Sequence, residues 1–595
     1  MQTTKFNSFP KSFNFQLFVL LALALGLNFN TLQNQYALDD YVVLTENKFV
    51  QKGISGIPDI IGNDLMSGTT DRNLLNQSRY RPFSLIIFAL EHQFFGDKPS
   101  ISHLINVLLF AMLIVVLYLL LSKQLLREYP ASLSFITCLL FVTHPIHTEV
   151  IANVKSRDEL IAFLLLLTSL STFLAYSVNR SVIKLAFALM TYFLALLTRE
   201  SAVTFILIYP LVLYFFYRKT LSDSLRNSFP FLIVLTLFFI LRFAVIDSSK
   251  PVIADILNAP FLFATASQAF ATKIYILLRY ISILFYPYPL SCDYSYKQIP
   301  YIGPGTPEFL IAATILIALF IISIVLFRKR SVYSFSILFY FITISIASNL
   351  LIDIGTPFSE RLLFQPSLAF CIVLGGGFSR YYPNYKILTL SLLFGVLSAF
   401  SVKTILRNTD WKNNETLFLK DADSSPNSAR TTWAACEIYR TKAEKEQDEV
   451  LRNKLLDQSI IYGERCIGIY PDYATAYISL GFPYYYKGNL DKAAELWLKS
   501  YQLDSISPQA RICMNVLSKD YYNRGNLLTE KGQTREAIMN YSKATDLNPQ
   551  FTEAWYYLGG LQYLEGDSLS AEKSWERVKQ LDPQYPLNLN FFLMR

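Results

Sequence analysis

The sequence predicts an all-α protein with two parts, a polytopic helical membrane domain followed by a solenoid of helical repeats. The chain has 595 residues, is 52% hydrophobic and has a mean hydropathy of +0.32, which is too apolar for a soluble protein of this size. The apolar residues are grouped in runs before about residue 407, and a fixed spacing governs the last part. We therefore expect a membrane domain at residues 1–406 and a water-soluble domain at 407–595.

Twelve apolar runs are candidates for membrane helices, which need roughly 20 residues to cross the hydrocarbon layer. The runs lie at residues 13–30, 102–121, 132–142, 160–176, 182–197, 202–217, 229–245, 271–285, 309–327, 332–351, 366–378 and 387–405. The first run follows Lys5 and Lys11 and could belong to a cleaved signal peptide, but it is long and lacks a convincing small-residue cleavage site. We expect it to remain as the first span.

Basic residues between the runs predict which loops are cytoplasmic. They cluster at Lys123/Arg127, Arg180/Lys184, Arg218/Lys219/Arg226, Arg328/Lys329/Arg330 and Arg380/Lys386. Between the third and fourth clusters lie three runs, although only two can cross. The run at 271–285 carries two basic residues and leads into Tyr-Pro-Tyr-Pro, so we expect it to be a re-entrant or interfacial helix. About eleven spans remain, and they place the C-terminal domain on the external side.

A spacing of 34 residues predicts the repeats. It separates Gly525 from Gly559, Ala537 from Ala571, Tyr541 from Trp575 and Pro549 from Pro583. This is the tetratricopeptide period, in which paired helices stack on their neighbours and form a concave surface suited to peptides. We expect repeats near 430–473, 474–517, 518–551 and 552–585, with an extra segment at 507–517.

Two adjacent carboxylates, Asp39 and Asp40, follow the first run with no basic residue beside them. They stand in the predicted first external loop, at about residues 31–101. Other polar groups collect at the external ends of the helices, where charges are costly unless a polar cavity uses them. These groups are Tyr80-Arg81-Pro82, His103 and Asn106, His144 to Glu149, Lys155 to Glu159, Arg199-Glu200-Ser201 and residues 355–361. The external mouth of the bundle is therefore the predicted site.

The order of these motifs resembles the transmembrane and tetratricopeptide repeat containing O-mannosyltransferases, which belong to the GT-C glycosyltransferases. The motifs are Asp39-Asp40, Tyr80-Arg81-Pro82, His144-Pro145-Ile146-His147-Thr148-Glu149, Lys155-Ser156-Arg157-Asp158-Glu159, Thr198-Arg199-Glu200-Ser201, the segment from Ser359 to Ser367, and Arg407-Asn408-Thr409-Asp410-Trp411. The resemblance covers almost the whole chain, although residues 53–79 match no pattern. It implies a GT-C-type membrane domain that transfers a sugar, with mannose expected, from a polyprenyl-phosphate donor with inversion.

The carboxylate pair suits the base that such a transfer needs. We expect Asp39 or Asp40 to accept the proton of the acceptor hydroxyl, while the other orients the acceptor or holds a metal ion. Neighbouring carboxylates on an irregular loop diverge, which favours one catalytic member, and Asp39 is preferred over Asp40. The alternative is that the pair only caps or solvates a helix end, where Asp is common.

Basic residues at the same mouth are candidates for binding the donor phosphate. Arg361 is the first choice because guanidinium offers a fixed fork of donors, and Arg157 and Arg199 follow. His144 and His147 could also donate to phosphate or bind a metal, but two histidines form an incomplete metal set. Supporting residues are Glu360, Glu200 and Arg81, which could also be structural partners or, for Arg81, the start of a helix. His103 and Asn106 are expected to hydrogen-bond within the bundle.

Partners and compartment follow from the same pattern. The six cysteines show no paired spacing, so neither zinc nor a disulfide framework is indicated. No cofactor is required with certainty, and a divalent metal is left open. The net charge of +8 is explained by the loops, and no nucleic-acid partner is expected. The expected partners are the bilayer, the lipid-linked sugar and a polypeptide. We expect a bacterial inner membrane with a periplasmic site, or an endoplasmic reticulum membrane with a lumenal one.

Three other functions compete with protein glycosylation. A GT-C enzyme could act on a glycolipid or glycan, but the peptide-binding repeats favour a polypeptide hydroxyl. A non-catalytic membrane-anchored scaffold would not need charged residues at one mouth. A transporter would show related halves and charges deep in its spans, and the sequence has neither.

Overall fold

The computed structural model describes residues 12–69, 79–246 and 255–587. Lys5, Lys11 and residues 70–78 of the unmatched segment 53–79 lie outside these ranges. Every regular element in these ranges is helical, as predicted. The chain forms two compact units, Met1–Pro426 and Asn427–Arg595.

The first unit contains seventeen α-helices among the described residues. They are α1 (Phe13–Asn28), α2 (Lys48–Gln51), α3 (Ile57–Ile61), α4 (Pro82–Phe95), α5 (Pro99–Leu120), α6 (Ala131–Thr143), α7 (Thr148–Ala152), α8 (Arg157–Asn179), α9 (Val182–Thr198), α10 (Phe205–Phe216), α11 (Leu221–Val245), α12 (Ala266–Phe285), α13 (Pro307–Phe327), α14 (Val332–Ile344), α15 (Ser367–Tyr381), α16 (Lys386–Asp410) and α17 (Asn414–Ser424).

Each of the twelve predicted apolar runs overlaps one of these helices over most of its length. In the part of the chain that the structure describes, seven helices are long and apolar enough to cross a membrane, namely α1, α5, α8, α11, α12, α13 and α16. The bent pair of α6 and residues 145–152 could supply an eighth, and α4, α9, α10 and α14 are shorter apolar helices. The protein is therefore a multi-pass membrane protein. Length and composition support seven or eight spans, and the larger number of eleven stays a prediction.

The predicted cytoplasmic loops meet at one end of the first unit. Arg330 donates to the carbonyl of Lys219 at 3.0 Å, and Arg218 pairs with Glu128 at 3.4 Å. These contacts join the loops that follow α5, α10 and α13. We name this end of the unit the basic face.

Helix α1 connects the basic face with the opposite end. At its start, the Lys123 ammonium lies 4.2 Å from the centroid of the Phe13 ring. At its end, the Asn408 side chain donates to the carbonyl of Leu27 at 2.9 Å. We name this second end, where α1 and α16 both finish, the loop face. The loop face carries Asp39 and Asp40. The contacts therefore agree with the prediction that α1 and α16 end on the same side of the bundle.

Helix α12 is the run predicted to be re-entrant or interfacial. Its 20 residues could cross a membrane by length and composition. Its contacts, however, hold both halves at the loop face: Lys273 pairs with Asp353 at 2.7 Å, and the carbonyl of Leu284 lies 3.0 Å from His144 Nε2. The length of α12 is compatible with a full span and with a re-entrant or interfacial helix, and these contacts favour the latter, as predicted.

The boundary between the units lies further along the chain than residue 406. Both terminal nitrogens of Arg407 donate to the Asp421 carboxylate at 2.7 and 2.9 Å, and the Cys292 amide donates to Asp421 at 2.6 Å. This buried carboxylate ties α17 to α16 and to the segment after α12. Helix α17 therefore belongs to the first unit, which ends at residue 426.

Up to residue 587, the second unit contains four helix pairs in the order of the four predicted repeats, and the third pair begins at Pro508 instead of near residue 518. Their helices are α18 (Ala429–Lys445), α19 (Glu449–Ile469), α20 (Ala474–Tyr486), α21 (Leu490–Leu503), α22 (Pro508–Glu530), α23 (Thr534–Leu547), α24 (Thr552–Leu564) and α25 (Ser568–Leu581). The extra segment at 507–517 is not a separate element, because it lengthens α22 at its start.

Steric contact explains the 34-residue spacing. A Cβ atom at Gly525 would lie 2.8 Å from the Tyr541 ring, and one at Gly559 would lie 2.7 Å from the Trp575 ring. Each glycine lets the first helix of a pair approach the large aromatic side chain of the second. The small residue and the ring therefore recur together.

Candidate active site

Asp39 and Asp40 point in different directions. Asp40 is fully buried, and its carboxylate accepts the Lys155 amide at 2.7 Å and the Ala37 amide at 3.1 Å. Asp39 has 43% of its side chain exposed and lies 3.8 Å from the Lys155 ammonium. The expected divergence of the pair is confirmed in geometry. Only Asp39 presents its carboxylate to the outside of the loop face.

Burial changes the acidity of Asp40. Loss of solvent raises the pKa of this carboxyl to about 7, although hydrogen bonds from the Lys155 and Ala37 amides oppose the shift. Because both oxygens are occupied by backbone donors, Asp40 fixes the turn before Asp39 to the segment between α7 and α8. It is a positioning group.

The Lys155 ammonium lies 3.8 Å from the Asp39 carboxylate. Lys155 stands in the short segment between α7 and α8, and only 5% of its side chain is exposed. Burial lowers the pKa of the Lys155 ammonium to about 8, against the favourable influence of Asp158 and Asp39. This ammonium is charged at neutral pH and sits beside the one outward-facing carboxylate.

Glu149 orients the Arg361 side chain. The guanidinium pairs with the Glu149 carboxylate, which also accepts the Arg361 amide at 3.0 Å. Burial disfavours the charge of Arg361, but the adjacent Glu149 and then Asp39 raise its pKa above the ordinary value. Its side chain keeps 18% exposure. Arg361 therefore remains charged, oriented and accessible, as its predicted role requires.

Arg79 also belongs to this cluster and was absent from the predicted site. Burial lowers its pKa to about 10, as do the neighbouring cations Arg81 and Arg361, while Glu200 and Asp39 oppose the shift. The charges of Asp39 and Arg361 therefore both act on the Arg79 guanidinium. We name Asp39, Lys155, Arg361 and Arg79 the transfer cluster.

Arg81 and Arg199 form the frame behind the transfer cluster. Both pair with Asp158, Arg81 at 2.7 Å and Arg199 at 2.8 Å. Arg81 also pairs with Glu200 at 2.8 Å, and Arg199 with Glu159 at 2.9 Å. Both guanidinium groups are almost fully buried. Their charges are already matched by carboxylates, so this geometry favours a supporting role for Arg199 rather than its predicted contact with phosphate.

Arg157 lies away from the transfer cluster. Its guanidinium pairs with Glu91 and donates to the Asn106 side chain at 2.6 Å and to the Ser102 carbonyl at 2.9 Å. It is fully buried and packs over the Phe88 ring. Every nitrogen of the guanidinium has a partner, so this geometry argues against Arg157 as a ligand of the donor phosphate.

His144 and His147 are packed inside the unit. The Nε2 atom of His144 lies 3.0 Å from the Leu284 carbonyl, and that of His147 lies 2.8 Å from the Ser367 hydroxyl. Both side chains are buried against phenylalanine rings. Their surroundings favour a packing role over the predicted contact with phosphate. His103 and Asn106 hydrogen-bond within the bundle, as expected.

Glu360 does not pair with its neighbour Arg361. Its carboxylate accepts the Ser291 amide at 2.5 Å and the Tyr294 hydroxyl at 2.8 Å, and burial raises its pKa to about 8. Glu360 thus holds the segment after α12, while Glu149 serves Arg361.

The side chains offer no evident cage for a divalent metal. Across residues 12–69, 79–246 and 255–587, no group of three or more His, Cys, Asp or Glu side chains is placed to hold one. Asp40 is turned away from Asp39, which removes the carboxylate pair as a joint ligand.

The sequence of the whole chain is similar to known proteins. Protein O-mannosyl-transferase TMTC3 of Homo sapiens is 26% identical, with 95% of this chain and 64% of the relative aligned. Tmtc3 of Drosophila melanogaster is 23% identical, with 90% and 64% aligned, and TMTC1 of Homo sapiens is 24% identical, with 76% and 54% aligned. A TPR repeat model matches residues 525–566.

The chain is thus similar in sequence to proteins named protein O-mannosyl-transferases. It spans 64% of the length of the human TMTC3 relative. Among solved structures, the crystal structure of MamA aligns with 31% of this chain and 94% of its own at 17% identity, but the TM-score of 0.18 is too low to define a shared fold.

Proposed function

We propose that this protein is a membrane glycosyltransferase that moves a sugar, with mannose expected, from a polyprenyl-phosphate donor to serine or threonine hydroxyls of a polypeptide. One observation carries the proposal: Asp39 is the outward carboxylate of the pair and lies 3.8 Å from the Lys155 ammonium. Its charge also acts on Arg361 and Arg79. A general base beside several cations is the arrangement that this transfer needs. The names of the relatives support the same reaction class.

The proposed reaction is an inverting displacement at C1 of the sugar. The acceptor hydroxyl oxygen attacks C1 from the side opposite the phosphate, and the hydroxyl proton passes to the Asp39 carboxylate. The new C1–O bond forms as the bond from C1 to the phosphate oxygen breaks. The polyprenyl phosphate leaves with the electron pair of that bond, and the cations of the transfer cluster stabilise its charge.

The donor lipid suits the position of the transfer cluster. The cluster lies at the loop face, beside the ends of the apolar helices α1 and α5, where a lipid phosphate meets water. The polyprenyl chain would lie in the bilayer while its phosphate and sugar reach the cluster. Arg361 and Lys155 would contact the phosphate, and Arg79 would add to the positive potential.

The repeats are the proposed binding surface for the acceptor. Tetratricopeptide arrays bind extended peptides in their concave surface. None of the candidate spans of the described chain follows Asp410, where α16 ends at the loop face. We therefore propose that the repeats and the transfer cluster share one aqueous compartment, periplasmic in a bacterium and lumenal in an endomembrane.

Purified protein incubated with different polyprenyl-phosphate hexoses and a peptide library tests the proposal. Mass spectrometry should find one added hexose on serine or threonine, with one lipid-linked sugar preferred. Modification of a glycolipid instead of any peptide would contradict the proposed acceptor. No transfer to any acceptor would contradict the proposed activity.

A further inference from the structure

A second feature of the first unit lies at the basic face, far along the helices from the transfer cluster. A groove of about 400 Å³ runs between the end of α15 and the start of α16. Its lining is almost entirely apolar and includes Leu374, Phe378 and Tyr381 from α15, and Leu388 and Leu392 from α16.

A run of three glycines in α15 indicates that the groove is a shaped feature. A Cβ atom at Gly375 would lie 2.8 Å from the Thr137 hydroxyl, and one at Gly376 would lie 3.0 Å from the Tyr333 hydroxyl. These two glycines are explained by contacts with α6 and α14. Gly377 has nothing within 4 Å of that position and lines the groove instead. Its missing side chain leaves room for another molecule.

Two cations stand next to the groove in the sequence. Arg380 and Lys386 adjoin the lining residues Tyr381 and Tyr385, both are exposed, and neither forms an ion pair with another described residue. Lys386 is also the first residue of α16, and the preceding Tyr385 side chain does not cap the helix. The first amide groups of this 25-residue helix therefore lie next to Lys386 and add to its positive charge. Tyr381 and Tyr385 are more than half exposed there, as is typical of side chains at a membrane interface.

We propose that this groove is a binding site for an anionic phospholipid of the leaflet at the basic face. One acyl chain would lie over Gly377, and the phosphate would contact Arg380, Lys386 and the start of α16. Charge complementarity selects this occupant, since a zwitterionic lipid fills the apolar part equally well but gains less from the two cations. The site is independent of the proposed sugar transfer, which occurs at the opposite face.

Native mass spectrometry of the full-length protein in detergent, titrated with phosphatidylglycerol or phosphatidylcholine, tests this site. The wild type should bind phosphatidylglycerol more tightly. The double variant R380Q/K386Q should bind it about 25-fold more weakly, because each basic side chain near an anionic lipid contributes roughly a fivefold factor. The matched control R328Q/K329Q removes two exposed cations of the same face and should bind like the wild type.

A second variant tests the apolar part of the groove. G377F fills the space above the glycine and should lose phosphatidylglycerol binding while keeping the wild-type unfolding temperature in lipid-free detergent. Equal binding of both lipids by the wild type would overturn the proposal. Unchanged affinity in R380Q/K386Q would overturn it as well, whether or not G377F folds.

Discussion

Arg361 and Arg157 are both arginines at the loop face, but their partners differ. Arg361 pairs with Glu149 and keeps part of its side chain exposed. In Arg157, each guanidinium nitrogen donates to a partner, namely Glu91, Asn106 or Ser102. An accessible guanidinium can still meet a ligand. A saturated one can only hold the fold together.

Replacing each arginine by lysine should separate these roles. Arg361→Lys keeps a charge beside Glu149 but loses the fork, so we expect a normal unfolding temperature and sugar transfer reduced about 100-fold, the scale for one lost donor to a developing anion. Arg157→Lys leaves buried acceptors without partners, at about 1–3 kcal/mol each, so its unfolding temperature should fall. Thermal unfolding and transfer rates check both. The reverse pattern would contradict the assignment.

Lys155 gives the transfer reaction a pH dependence. Burial lowers the pKa of its ammonium to about 8, so the charge is present below that pH and is lost as the pH rises through it. If this charge binds the donor phosphate, kcat/KM for the donor should fall above about pH 8, because kcat/KM reports the free enzyme. Lys155→Arg keeps its charge to a much higher pH and should abolish the fall. An identical alkaline fall in the variant would exclude Lys155 as its origin.

Pairing between distant residues was the part of the site that spacing could not predict. The adjacency of Asp39 and Asp40 indicated a divergent pair, and the position of Arg361 at a helix end indicated an exposed cation. Glu149 and Glu91, however, lie 212 and 66 residues from the arginines they hold. Arg79 gave no signal because it follows a segment without a recognisable pattern. Only the packing of the helices brings these groups together.

At the scale of helices, apolar runs and the repeat period were reliable guides. Each run contains a helix because a segment that must satisfy its backbone polar groups within the membrane has few alternatives. The boundary of the first unit was misplaced by about twenty residues, since α17 has a polar surface while its Asp421 and Leu417 side chains are buried against the first unit. The amino-acid composition of a helix indicates that its surface is polar, but it does not reveal which buried contacts attach the helix to a domain.

The glycine and ring pairs of the repeats allow a matched test. Gly559→Ala brings a Cβ atom to 2.7 Å from the Trp575 ring, so we expect a loss of about 1–3 kcal/mol, typical of overpacking. Gly468→Ala, inside α19, meets nothing within 4 Å and should be neutral or stabilising by about 0.5–1 kcal/mol. Chemical unfolding of the two variants measures both changes. Equal effects would contradict the packing explanation of the 34-residue period.

At the scale of the whole molecule, the sidedness of the loop face decides which compartment contains the reaction. Cysteine substitutions at the exposed residues Ile54, in the same predicted loop as Asp39, and Val450, in the repeats, should react with a membrane-impermeant reagent from one side. A cysteine at Arg328 should react only from the other. The six natural cysteines are buried in the described chain and should give little background. Labelling of Ile54 and Val450 from opposite sides would contradict the shared compartment.

Sugar transfer by carboxylate variants is the most direct test of the transfer cluster. Asp39→Asn should reduce the rate about 10²–10⁴-fold, the usual contribution of a general base. Asp40→Asn keeps one backbone contact and should lose much less, and Asp59→Asn, a carboxylate with 40% exposure in the same loop, should retain the wild-type rate. Full activity in Asp39→Asn, with the protein folded and donor bound, would contradict the proposal that Asp39 is the base.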